Sequence, residues 1–134
     1  MEVPILKHGR YLIATVQSAL TDADLTQLRD AIVQKVGRLR ARGVIIDVTA
    51  LDVMDSFATR TLRDIAHMIR LRGAQTVLVG IQPEVAQTMV RLGLTLEGVD
   101  TALALEEGID FLNHGMEAHG ERGLNGGNGG PRAH

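Results

Sequence analysis

The chain contains no cysteine among its 134 residues. Disulfides, thiolate catalysis and cysteine metal sites are therefore excluded. Aromatic residues make up 2%, with no tryptophan at all. Tyr11, Phe57 and Phe111 are too few to build a platform on which nucleic-acid bases could stack. The formal net charge of −2 gives no electrostatic reason to expect a nucleic acid or an anionic membrane as partner. No apolar run approaches the ~20 residues needed to span a bilayer. The opening Met1-Glu2-Val3-Pro4 lacks the basic start and apolar stretch of a signal peptide. A cytoplasmic location is the expectation.

Apolar residues make up 45% of the chain. That is ordinary for a globular protein, and the length fits one domain plus a tail. With so few aromatics, the core must come from Leu, Ile, Val, Ala and Met. Ile5-Leu6-Lys7 and Tyr11 to Val16 are β-prone runs with His8-Gly9-Arg10 between them, which reads as an opening hairpin. Thr21-Asp22 then starts a helix whose Leu25, Leu28, Ile32, Val36 and Leu39 follow at helical spacing. Asp22 and Asp24 near its start, and Arg38, Arg40 and Arg42 near its end, suit the helix dipole. Gly43 is expected to stop it. Those arginines read first as a solvated helix end, and second as a docking patch for an anionic partner.

Val44 to Val48 is a short apolar run expected to form a buried strand. A helix over Phe57 to Arg72 follows, with Ala58, Leu62, Ile65, Ala66 and Ile69 on one face and Gly73 at its end. Thr76 to Gly80 is a second buried strand. Pro83 suits the first position of another helix, whose apolar face is Val85, Ala86, Met89 and Val90. Leu94 to Thr101 can hold a short edge strand. Leu103, Leu105, Ile109 and Leu112 suggest a final short helix. Residues 1–113 form the expected domain. Residues 114–134 are glycine-rich and nearly free of large apolar side chains, so a flexible tail is expected there. Strands alternating with helices after a hairpin imply an α/β layer architecture on a mixed sheet.

Leu51-Asp52-Val53-Met54-Asp55-Ser56-Phe57 lies between the first central strand and its helix. Ser56 is expected at the N-cap, where it can both cap the helix and be reached from solvent. A phosphoryl group there would change charge and shape where a partner could read it. On physics alone the plain cap is the stronger reading. Nucleophilic catalysis would require a base and an oxyanion site, and His67 stands about three turns along the same helix, beyond contact. Asp47 does not mark a receiver-type phosphoacceptor site, because the opening strands carry Lys7, His8 and Arg10 in place of a magnesium-binding acidic pair. The five histidines form no metal-ligand pair. Gly80-Ile81-Gln82-Pro83 lacks a phosphate-loop pattern. Thr88 carries a hydroxyl open to modification, though bonding back to its own helix is the stronger reading.

The run Gly43 to Val48, then Val53-Met54-Asp55-Ser56-Phe57, Arg72-Gly73-Ala74, Val79 to Ala86 and Leu96-Glu97-Gly98-Val99 resembles the STAS domains of the anti-sigma-factor antagonist family. Within it the likeness is to the single-domain RsbS type of the bacterial stressosome, over about Pro4 to Leu112. The resemblance implies a STAS-like mixed β-sheet, with helices packed mainly on one face and preceded by the N-terminal hairpin. It implies a binding protein and not an enzyme, with no cofactor or metal. The unmodified form would sequester a GHKL-type, RsbT-like serine/threonine kinase, and phosphorylation of Ser56 would release it to activate a stress response. By the same resemblance Asp55, Ser56 and Phe57 contact the partner, and Thr88 is a second phosphorylation site. RsbR-like STAS paralogues, an RsbX-like phosphatase and self-association complete the implied partners. No sensor segment is expected before Pro4, which would suit the RsbS type. The alternatives are a small-molecule or nucleotide-binding STAS module and a purely structural subunit.

Overall fold

The computed structural model describes residues 2–125, with side-chain surroundings through Gly115. The chain order is β1 (Ile5–His8), β2 (Tyr11–Thr15), α1 (Asp22–Leu39), β3 (Gly43–Asp47), α2 (Ser56–Leu71), β4 (Gln75–Val79), α3 (Pro83–Arg91), β5 (Asp100–Ala102) and α4 (Leu105–Asn125). The five strands form one sheet in sequence order. β1 pairs antiparallel with β2, as the hairpin requires, and β2 through β5 run parallel. This is the mixed α/β sheet expected.

The strands sort their residues by the period of two that a pleated backbone imposes. Leu12, Ala14, Val44, Ile46 and Leu78 face α1, α2 and α3 in the larger cluster. Tyr11, Ile45, Val77 and Val79 face the other way and meet Leu112, Ile109 and Leu105 of α4. Three helices thus cover one face and α4 covers the other, which is why β3 and β4 are apolar at nearly every position. Ile32, Ile65 and Ile69 are completely buried. Each contributes ~1.5–3 kcal/mol of burial.

α1 starts where its capping residue predicts. The Thr21 hydroxyl accepts from the Asp24 N–H at 3.0 Å, and the Asp24 carboxylate accepts from the Thr21 N–H at 3.1 Å. Together they form a capping box. Its end differs from expectation. The helix stops at Leu39, and Arg40, not Gly43, takes the left-handed position with φ 54°. Gly43 opens β3 instead, held against Leu112: a Cβ there would lie 2.8 Å from a Leu112 methyl.

Two further expectations are corrected. On α3 only Val85 and Met89 are buried, whereas Ala86 and Val90 are exposed. The last helix is not short: α4 runs from Leu105 to Asn125, past the point where the tail is expected to begin, and Leu103 precedes it. The approach of α4 to the sheet is close. A Cβ at Gly108 would sit 2.9 Å from Val79, and one at Gly115 would sit 2.9 Å from the Gln75 amide. The Tyr11 hydroxyl donates to the Asn113 side chain, joining α4 to β2. The remainder of the expected tail, 126–134, lies outside the described residues.

Candidate functional site

The parallel strands β2, β3 and β4 all end at one edge of the sheet, and the loops leaving that edge lead into α1, α2 and α3. Open α/β sheets place their functional groups at this edge, because loops and helix N-termini converge there. Ser56 stands on this edge, at the start of α2.

The loop from β3 to α2 is anchored by alternate burial. Leu51 and Met54 are buried in the larger core. Asp52, Asp55 and Ser56 are exposed, Val53 is 67% exposed, and Phe57 is partly buried against the same core. Two apolar side chains thereby act as feet, and the acidic and hydroxyl groups between and after them face outward.

The N-cap is Asp55, not Ser56. Asp55 has extended backbone angles, and its carboxylate accepts from the Ala58 N–H at 2.8 Å. Its carbonyl accepts from both the Thr59 N–H and the Thr59 hydroxyl, each at 3.0 Å. Ser56 is the first helical residue, exposed, and no hydrogen bond engages its hydroxyl among the described residues. Either residue is a good cap by type. An aspartate three residues before the first buried helical position is the signal that points to Asp55. The consequence is chemical: the Ser56 hydroxyl is not used in capping, and the carboxylate beside it is occupied by the helix.

The loop is braced from a second side. Asp47, at the end of β3, accepts from the Thr49 N–H at 2.9 Å and from the Thr49 hydroxyl at 2.6 Å. The Thr49 carbonyl accepts from the Gln82 side chain at 2.8 Å. Gly80 has φ +84°, and a Cβ there would fall 1.9 Å from the Thr49 hydroxyl oxygen. Asp47, Thr49, Gly80 and Gln82 therefore lock the Ser56 loop to the turn entering α3. Sequence reasoning singles out Asp47 and Gly80 separately and misses this brace.

Thr88 lies on α3, exposed, and its hydroxyl donates to the Glu84 carbonyl at 3.0 Å. Its bond is thus to its own helix, and no hydrogen bond joins it to the Ser56 loop among the described residues. His67 lies ~16 Å along α2 from Ser56 at 1.5 Å per residue. Among the described residues no cluster of His, Asp or Glu could hold a metal ion. No helix among them is long and apolar enough to cross a membrane.

A STAS domain model matches residues 2–108. This chain belongs to the STAS domain family. The RsbT co-antagonist protein RsbRA of Bacillus subtilis is 33% identical over 98 residues, covering 73% of this chain and 34% of its own length. The chain thus spans about a third of that curated relative. Among solved structures, a Moorella thermoacetica RsbS bearing a serine-to-glutamate substitution is 36% identical, with a TM-score of 0.75 over 86% of this chain and 97% of that one. A chain from the molecular architecture of the stressosome, a signal integration and transduction hub, is also 36% identical, with a TM-score of 0.70 over 84% of this chain and 98% of its own. SpoIIAA in its unphosphorylated form, at 18% identity, shares the fold with a TM-score of 0.68.

Proposed function

We propose that this STAS domain is a phosphorylation-controlled antagonist and scaffold protein of a stressosome-type complex. The unmodified form holds an RsbT-like serine/threonine kinase through Asp55, Ser56 and Phe57. Phosphorylation of Ser56 releases that kinase to act downstream. RsbR-like paralogues share the assembly, and an RsbX-like phosphatase resets it. The observation that carries the reading is the exposed Ser56 hydroxyl at the first position of α2, unbonded among the described residues, on a loop fixed from both sides.

The physical logic follows from that position. A phosphoserine adds about −1.5 to −2 charge. The N-terminus of α2 favours negative charge, so the fold tolerates the group. Because Asp55 and not Ser56 makes the cap, modification leaves the Ala58 bond in place. A partner surface fitted to a neutral hydroxyl beside one carboxylate meets like charge instead, which costs several kcal/mol when forced into an interface. Thr88 is the second proposed modification site, exposed on α3.

Calorimetry with the RsbT-like kinase tests the reading. Ser56→Ala folds, binds the kinase and takes no phosphate. Ser56→Asp folds equally well and binds about two orders of magnitude more weakly, at ~1.4 kcal/mol per tenfold. Intact mass after incubation with kinase and ATP gains one phosphate in the wild type and none in Ser56→Ala. Equal affinity of both variants overturns the switch. Failure of the wild type to bind at all overturns the partner.

A further inference from the structure

Charge is distributed unevenly along the strands of the molecule. Every helix from α1 to α3 runs back against the strand before it, so helix starts gather at the Ser56 edge and helix ends at the other. The Ser56 edge carries Asp22, Asp24, Asp47, Asp55 and Glu84. The opposite edge carries Arg10, Arg38, Arg40, Arg42, Arg70 and Arg72. Helix dipoles account for Arg38 and Arg70, which lie in last helical turns. They do not account for Arg10 in the β1–β2 turn or Arg42 ahead of β3. These two are adjacent: the Arg42 N–H donates to the Arg10 carbonyl at 2.8 Å, and the Arg42 carbonyl accepts from the Gln75 N–H at 3.2 Å.

Arg42 and Arg70 line an open cavity of about 450 Å³ together with Gln75, Thr76 and Asp100. Thr76 is only 5% exposed, and its hydroxyl has no hydrogen-bond partner among the described residues. A buried hydroxyl left unpaired is unfavourable. Thr76 lines the cavity, so a group that enters it is placed to supply the partner. Arg70 donates to the Gly98 carbonyl at 2.9 Å, which holds its guanidinium at the rim. Asp100 is the carboxylate of the lining. Partial burial pushes its carboxyl above the ordinary range, and Arg70 draws it part of the way back.

We infer that this cavity is a binding site for a phosphate-type oxyanion, held by the Arg42 and Arg70 guanidiniums above the Thr76 hydroxyl. Guanidinium forks match phosphate oxygens in pairs. Two of them carry more positive charge than a single carboxylate neutralises, which favours phosphate over a simple carboxylate. A concavity at a basic edge also focuses the potential and concentrates anions. The site lies at the edge opposite Ser56 and stands independently of the role proposed there.

The test is a titration of the isotopically labelled full chain with inorganic phosphate at low ionic strength, followed by amide chemical shifts. Sodium chloride at matched ionic strength is the reference, and acetate is the carboxylate arm. The amides of Gly73, Gln75 and Asp100 should shift and saturate with phosphate, more weakly with acetate and not with chloride. Arg42→Gln should weaken phosphate binding about tenfold, as expected for one charged hydrogen-bonding partner. Thr76→Val should weaken it, and Asp100→Asn should strengthen it. Arg70→Gln should act like Arg42→Gln. Should it fail to fold for loss of the Gly98 bond, Arg42→Gln still decides, because its side chain makes no hydrogen bond among the described residues. Shifts that never saturate, or that chloride reproduces, overturn the site. So does saturable binding untouched by Arg42→Gln, or binding centred on the amides of Ser56 and Phe57.

Discussion

Asp55 and Ser56 divide two tasks that adjacent residues of similar type could have exchanged. Asp55 satisfies the Ala58 N–H, and Ser56 keeps its hydroxyl for solvent. Asp55→Ala should therefore cost ~1 kcal/mol, the usual worth of a cap. Ser56→Ala should cost nothing measurable, since alanine is the best helix former. Urea unfolding midpoints of the two variants decide between them, and the reverse order would restore Ser56 as the cap. Gly80 is the other residue with no substitute. A side chain there would need φ +84° and would overlap Thr49, including its backbone Cα at 3.1 Å. Gly80→Ala should cost ~2 kcal/mol or more through strain and overlap. It should also broaden the amide signals of the Ser56 loop, because the brace through Thr49 is lost. Sequence places the cap of α2 one residue late, at Ser56 and not Asp55, and leaves the brace unseen. Gln82 and Thr49 meet only after two separate strands have paired.

At the scale of elements, α1 and α4 show where local signals suffice and where they fail. The capping box of Thr21 and Asp24 is local and readable, and α1 begins where the residues say. Its end is not readable in the same way, because Gly43 is the better left-handed residue by type while Arg40 occupies that position. An L residue at φ 54° is strained relative to glycine. Arg40→Gly should thus raise stability by ~0.5–1 kcal/mol in chemical unfolding, with no change in secondary structure. For α4, Gly108 and Gly115 let the helix lie directly on Val79 and Gln75, and only Gly115 falls in the segment expected to be a tail. Leu112 is fully buried between α4 and the sheet. Leu112→Ala should cost ~2–5 kcal/mol, the range for a large core deletion. A loss below ~1 kcal/mol would mean that α4 is not part of the cooperative unit.

For the whole molecule, the parallel connections put helix starts and acidic groups at one edge and arginines at the other. Asp100 sits among those arginines and reports on that environment. Its carboxyl lies above the ordinary value of 3.8, chiefly because burial disfavours the charge. The folded state therefore holds this proton to higher pH than the unfolded chain does. The contribution is most favourable below the unfolded value and is lost as pH rises through the folded one. Asp100→Asn should accordingly be more stable than wild type near neutrality and converge with it below pH 3.8. Thermal midpoints measured across that range check the sign. The class of fold, the strand cores, the start of α1 and the loop that carries Ser56 are all written in the residues themselves. They depend on period, run length and capping chemistry, which are local. Packing was needed to settle that α4 closes the second face, that Asp55 and not Ser56 caps α2, that Gln82 ties Thr49 in place, and that Arg42 and Arg70 line one cavity with Thr76. Each of these needs groups far apart in the chain to meet, or one of two equivalent residues to be chosen by the packing around it.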